Sequence, residues 1–143
     1  DHLIKTSWEK QFYETNKAIK GYGIFYGNDL LQGQRLATAV CLDSRIVRAL
    51  KYMAPSGLIH LFADNFWMDL GNATNKLHYF DSIIFEHVHP HVGKATLDSM
   101  YVESNSFFDV DQKVYEEYKR NGNFERDVQT IELFINDANK LGN

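Results

Sequence analysis

The spacing of apolar residues predicts a helix and then a strand at the start of the chain. Trp8, Phe12 and Ile19 recur at near-helical spacing, and Ser7 in front of them is a residue type that caps helices. The segment 22–27, YGIFYG, is short, apolar and aromatic and is bounded by glycines, which is typical of a strand. The chain is therefore expected to open with a helix followed by a strand.

A loop, a second strand and another helix are predicted next. Residues 28–37 are expected to form the loop, and residues 38–42, TAVCL, form the second buried strand. Ser44 is the expected N-cap of the helix, and the Pro-Ser-Gly sequence at 55–57 closes it. The apolar face of this helix consists of Ile46, Val47, Leu50 and Met53.

A short helix and a long strand follow. Residues 58–63 lead into a helix that Asp64 is predicted to cap and that Gly71 is predicted to end. Residues 77–90, LHYFDSIIFEHVHP, are expected to be extended, with alternate side chains on opposite faces of the strand. One face carries Ile83, Phe85, His87 and His89, and the other carries Ile84, Glu86 and Val88.

The last third of the chain is predicted to be helical. Asp109 with Gln112 resembles a capping box, and the Asn-Gly-Asn sequence at 121–123 predicts a turn. The apolar stripe after that turn consists of Phe124, Val128, Ile131, Phe134, Ala138 and Leu141. Strands that alternate with helices indicate an α/β fold. Residues 1–143 are expected to form a single domain, with an α/β part at 1–107 and a helical tail at 108–143.

Composition and charge exclude several classes of function. The 143 residues carry a net charge of −4, whereas a general nucleic-acid-binding domain presents a basic face. No apolar run approaches the roughly 20 residues that span a bilayer, so no membrane association is expected. The single cysteine, Cys41, favours a reducing, cytoplasmic setting. Any diphosphate ligand must have its charge offset locally, by a divalent cation or by a few basic groups.

His87, His89 and His91 place half of the chain's six histidines within five residues. The His87 and His89 imidazoles point to the same side of a strand, which is how many metal sites begin. His91 follows Pro90, which breaks this alternation. The alternative is a strand end whose histidines simply face water. Lys94 is a candidate phosphate contact, although a lone lysine is more often a surface charge.

Three blocks of sequence, 26–50, 60–71 and 83–95, together resemble the C-terminal half of glycosyltransferases of the GT-A (nucleotide-diphospho-sugar transferase) fold, in particular a bacterial and phage group. This resemblance covers most of the chain. It implies a partial GT-A-like, Rossmann-like mixed sheet flanked by helices. It also implies transfer of a sugar from a nucleotide-diphosphate sugar to an acceptor hydroxyl.

The resemblance implies a divalent metal, Mn²⁺ or Mg²⁺, and its ligands. In that fold a nucleotide-binding half comes first and ends in a D-x-D or D-D-H motif, and Asp1 with His2 matches the end of this motif. The nucleotide-binding half is then expected in a separate segment or partner. His87 or His89 matches the late histidine that completes the metal site, and Asp1 is the expected carboxylate ligand. An imidazole ligand favours Mn²⁺.

The resemblance also implies an acceptor side. Asp64 matches the carboxylate that acts as general base, although Asp at a helix start is also a common N-cap. Asn28-Asp29 matches an acidic pair, which makes Asp29 a candidate substrate-binding residue. Trp67, next to Phe66, is a candidate for stacking on a sugar ring, with core packing as the alternative. Lys94 is the remaining substrate-binding candidate.

Three functions remain open from the sequence. The first is a sugar-nucleotide-dependent transferase, or its acceptor-side portion. The second is a metal-dependent hydrolase that uses the histidine cluster with Asp64 or Glu86 as base. The third is a non-catalytic GT-A-derived module that binds a partner or a glycan. The donor, the sugar, the acceptor and the presence of a homo-oligomer are not determined by the sequence.

Overall fold

The computed structural model describes residues 2–88 and 106–140. Within these ranges the elements in chain order are β1 (His2–Ile4), α1 (Glu9–Ala18), β2 (Ile24–Asn28), a 3-10 turn (Gly33–Arg35), β3 (Cys41–Leu42), α2 (Ser44–Leu50), α3 (Ala63–Ala73), β4 (Leu77–His87), α4 (Phe108–Arg120) and α5 (Asn123–Lys140). In these two ranges, every helix is too short or too polar to cross a membrane.

The predicted α/β class is confirmed, and the sheet has four strands in the order β1-β4-β2-β3. The two central strands, β2 and β4, are parallel, whereas both edge strands pair antiparallel to their neighbours. A parallel pair needs a crossover connection, which α2 and α3 supply between β2 and β4. The predicted strand at 38–42 is reduced to the two residues of β3.

Hydrophobic cores cover both faces of the sheet, because successive strand residues point in opposite directions. Phe25 on one face packs with Phe12, Ile83 and Phe85. On the other face, Ile24 belongs to a larger cluster built from α2, α3, α4 and α5. The latter two helices contribute Tyr115, Tyr118 and Ile131 to that cluster. Residues 108–140 therefore contribute to the main core.

A bulge in β4 shifts its pairing with β2. Gly27 pairs with Phe80, but the next residue of β2, Asn28, pairs with Ile84. At this shift the Ile83 carbonyl oxygen lies 2.4 Å from the position that a Cβ on residue 27 would occupy. Only glycine leaves room for that backbone approach.

Buried Asp111 on α4 fixes the segment in front of α3. Its carboxylate accepts hydrogen bonds from the backbone N–H groups of Ile59, His60 and Leu61, at 2.8, 2.8 and 2.6 Å. Helix α3 then begins at Ala63, after an N-cap residue with positive φ and no side-chain cap. Asp64 lies in the first turn of the helix, so the prediction that it is the N-cap is wrong.

Several other predicted helix boundaries differ from the structure by one or two residues. Asp43 rather than Ser44 caps α2, since its side chain accepts from the Arg45 N–H. Ser7 does not cap α1, because its hydroxyl donates to the Glu9 carboxylate. The capping box at Asp109 is also absent, with Phe107 at the N-cap position. Helix α3 continues past Gly71 to Ala73.

We predict that Gly27→Ala loosens the pairing of β4 with its neighbours, because the new methyl group would overlap the Ile83 carbonyl. The expected loss of stability is about 1–3 kcal/mol. Hydrogen exchange should accelerate at the His87 N–H, which donates to the Asp29 carbonyl at 2.8 Å. Gly122→Ala is the control, because its φ of +75° strains an alanine while no other described residue lies within 4 Å of the new methyl group. It should lower stability without the steric overlap and leave protection at His87 to follow global stability alone. Unchanged protection at His87 in Gly27→Ala would contradict the steric argument.

Candidate functional site

Three strands bring chemically active side chains to one edge of the sheet. Asp29 directly follows β2, and His87 is the last residue of β4, so the two lie at the carboxyl ends of the parallel pair. Strand β1 runs antiparallel to β4 and begins where β4 ends, which pairs His2 with His87. In open α/β sheets the carboxyl edge of parallel strands is where ligands usually bind.

His2, Asp29 and His87 form a compact set of metal-ligand types. One ligand atom from each lies within 4.8 Å of the other two. The two imidazoles are stacked, with centroids 4.3 Å apart and an interplanar angle of 25°, and His87 Nδ1 lies 3.6 Å from Asp29 Oδ2. Ligand bonds of about 2.1 Å place neighbouring donor atoms about 3–3.5 Å apart. These three side chains could hold a cation if their donor atoms moved from within 4.8 Å of one another to that spacing.

The Asp29 carboxylate is buried and rigidly held. Oδ1 accepts three backbone N–H bonds of 2.7–3.0 Å from the loop that follows, and Oδ2 accepts the Thr38 hydroxyl at 3.0 Å. Burial alone would raise the pKa of Asp29, but these four hydrogen bonds outweigh it and hold the pKa below its ordinary value. Asp29 is therefore an ionised acceptor despite being only 1% exposed.

Both histidines are suited to donate a lone pair. Burial lowers the pKa of His2 and of His87, more than the Asp29 charge raises it. Neutral imidazole is the form that binds metal ions. Nε2 of His2 is buried and has no hydrogen-bond partner in ranges 2–88 and 106–140. A cation near Asp29 would give the Nε2 atom of His2 a partner.

Asp64 belongs to the same electrostatic environment. It is half-buried in the first turn of α3. Burial raises the pKa of Asp64 to about 6, and the negative charge of Asp29 adds to the effect. The two carboxyl groups are therefore close enough to interact.

A buried imidazole is not by itself a site, as His78 demonstrates. Its Nε2 is also buried without a hydrogen-bond partner among the described residues. Its ring stacks on Phe25, with centroids 5.5 Å apart, and burial lowers its pKa. His78 belongs to no group of metal-ligand types in the described part of the chain. The presence of Asp29 and a second imidazole distinguishes His2 and His87.

The structure brings some of the predicted site residues together and places one elsewhere. Asp29 and His87 share the edge described above, and Asp64 interacts electrostatically with Asp29. Trp67 is only 3% exposed and its ring packs against Phe66, with centroids 4.9 Å apart, so it has the core role that the sequence left open. The predictions for Asp1, His89 and Lys94 fall outside the described residues.

Two other acidic residues have structural partners. Asp69 on α3 accepts a hydrogen bond from the Tyr115 hydroxyl at 2.8 Å and forms an ion pair with Lys119. Glu86, the alternative base for a hydrolase, forms an ion pair of 3.3 Å with Lys5. Neither carboxylate belongs to the group of ligand types around His87.

The resemblance matched His2 to the end of a metal-binding motif but gave Asp1 as the ligand, so neither the contact of His2 with His87 nor the contribution of Thr38 was predicted. His2 reaches His87 only through the pairing of β1 with β4, and three residues are too short to show a strand pattern. Thr38 lies nine residues from Asp29, and the positive φ of Leu30 and Gly33 turns the loop between them. No sequence motif marks the contact of Thr38 with Asp29.

A pocket of about 420 Å³ lies elsewhere, between the segment 52–57 and helices α4 and α5. Two of its lining residues, Tyr52 and Tyr118, donate their hydroxyl hydrogens to the buried carboxylate of Asp127. These polar groups satisfy one another. Of the predicted site residues that the structure describes, none lines this pocket, so the sheet edge is the better candidate.

Comparisons of the chain with protein-family models, with curated proteins and with solved structures found no match.

Proposed function

We propose that this chain is the acceptor-side portion of a metal-assisted glycosyltransferase with a GT-A-like fold. It would transfer a sugar from a nucleotide-diphosphate sugar to an acceptor hydroxyl. The observation that supports this best is the convergence of His2, Asp29 and His87 at one sheet edge, with Asp64 in electrostatic contact with Asp29. Glycosyl transfer needs a base for the acceptor and compensation of charge on the departing diphosphate.

The three-residue set fits a divalent cation. His2, Asp29 and His87 would hold it, and the cation would supply positive charge where the leaving diphosphate develops negative charge. Two imidazoles and one carboxylate favour Mn²⁺ over Mg²⁺, since Mg²⁺ prefers oxygen ligands. Asp1 and His89 remain predicted ligands. Asp1 directly precedes His2 in the sequence, and His89 lies two residues after His87.

Asp64 is the proposed general base. A carboxylate with a pKa of about 6 is ionised at neutral pH and is still more basic than an ordinary aspartate. It forms no hydrogen bond or ion pair within the described ranges, so its oxygens are not committed to the fold. It would accept the proton of the acceptor hydroxyl, and transfer should accelerate as the pH rises through about 6.

A second candidate is metal-dependent hydrolysis. Two histidines and one carboxylate are also ligand types of catalytic zinc sites, where a fourth position stays open for water. Asp64 would then serve as base for that water. Binding of Zn²⁺ without any requirement for a nucleotide would favour this alternative.

The transferase proposal predicts thermal stabilisation by Mn²⁺ and a further increase with UDP or GDP. A cation at roughly 100 times its Kd should stabilise the fold by about 2.7 kcal/mol. His87→Ala should abolish both shifts. His78→Ala is the matched control, because it removes a buried imidazole from the same strand but not from the cluster. Absence of any Mn²⁺ shift in the unchanged chain would refute the proposal.

The raised pKa of Asp64 predicts that Asp64→Asn stabilises the fold while abolishing transfer. The unfolded carboxyl ionises near 3.8 and the folded one at about 6, so stability falls as the pH rises between these values. At pH 7 the variant should be more stable by about 1–3 kcal/mol, and at pH 4 the difference should nearly vanish. Urea unfolding at both pH values measures this.

The control for this experiment is Asp69→Asn, which removes the same charge from the same helix. Because Asp69 accepts from Tyr115 and Lys119, its loss should destabilise the fold at pH 7. If Asp64→Asn also destabilised the fold at pH 7, Asp64 would be a structural residue and its role as base would be withdrawn.

A further inference from the structure

We infer that Thr38 is a positioning residue that orients Asp29 Oδ2 toward the cation. The inference deepens the proposed function and rests on it. Thr38 is half-buried in the loop before β3, and its hydroxyl donates to Asp29 Oδ2 at 3.0 Å. The same oxygen lies 3.6 Å from His87 Nδ1. Thr38 therefore contacts the Asp29 oxygen that faces His87.

The two oxygens of Asp29 have different hydrogen-bond partners. Oδ1 accepts hydrogen bonds from the backbone N–H groups of Leu31, Gln32 and Gly33. Oδ2 accepts no backbone hydrogen bond in the described part of the chain, and its neighbours are the Thr38 hydroxyl and His87 Nδ1. A carboxylate oxygen has two lone-pair directions, and a cation held by Asp29 and His87 would take the direction that faces His87.

Asp111 provides an internal comparison. It is also fully buried and also accepts three backbone N–H groups, but these bonds are divided between both of its oxygens. Anchoring three backbone N–H groups therefore does not require that one oxygen be kept apart from the backbone. At Asp29 that second oxygen instead contacts a hydroxyl donor and an imidazole.

Partners of metal-ligating carboxylates fix their orientation, and their removal typically weakens metal binding by 10- to 100-fold. Thr38→Val keeps the shape of the side chain and removes the hydroxyl. Without the donor, the Oδ2 lone pair that Thr38 now occupies becomes available and the carboxylate gains rotational freedom around its anchored Oδ1. The expected result is a Kd for Mn²⁺ about tenfold higher than that of the unchanged chain.

The test is titration of the full chain with Mn²⁺, with free Mn²⁺ measured by electron paramagnetic resonance, alongside thermal melts without metal. Thr38→Ser should restore the affinity, since it keeps the hydroxyl. Thr74→Val is the matched control, because the Thr74 hydroxyl also donates one hydrogen bond, to the Leu70 carbonyl at 2.8 Å, at the end of α3. Both valine variants should lower the melting temperature slightly, but only Thr38→Val should lose affinity.

Each outcome decides the inference. An unchanged Kd in Thr38→Val, or an equal loss in Thr74→Val, overturns the role of Thr38 and leaves the proposed function standing. A loss that Thr38→Ser does not restore also overturns it, since the hydroxyl would not be the cause. If the unchanged chain binds no Mn²⁺, the proposed function fails and the inference fails with it.

Discussion

The parallel pairing of β2 with β4 is the constraint on which the candidate site depends. It places the ends of both strands at one edge, and the hydrogen bond from the His87 N–H to the Asp29 carbonyl joins the two site residues through their backbones. The pairing reaches that point only because β4 bulges where Ile83 approaches Gly27. A single position without a side chain thus determines how the sheet edge is assembled.

Charge is distributed at this edge in a way that suits a cation. Asp29 is kept ionised by hydrogen bonds although it is buried, while burial keeps His2 and His87 neutral. Buried anions without a compensating cation are unfavourable, and here the compensation comes from backbone N–H dipoles and one hydroxyl. A cation would also offset the repulsion that Asp29 exerts on Asp64, and so make Asp64 easier to ionise.

The fold class and most elements could be predicted from the sequence, because apolar periodicity records burial directly. The alternation in β4 correctly indicated that Ile83 and Phe85 face the core. Helix starts were less accurate, since Asp111 holds the segment before α3 from a distant helix and displaces Asp64 from the cap. Of the site, the sequence indicated Asp29, Asp64 and His87, but the pairing that adds His2 is a long-range contact with no local signal.

The hydrogen bonds of the buried and half-buried aspartates distinguish structural carboxylates from the candidate base. Most of those that the structure describes accept hydrogen bonds that hold a loop or a neighbouring segment in place, namely Asp29, Asp43, Asp69, Asp111 and Asp127. Asp64 is the exception in those ranges. A donor would stabilise its ionised form and lower its pKa, which would make it a weaker base. Because Asp64 has no donor in the described ranges, its ionised form has no hydrogen-bond support, which lowers the stability of the fold. The same lack of donors keeps the pKa of Asp64 raised, as a base for an acceptor hydroxyl would need.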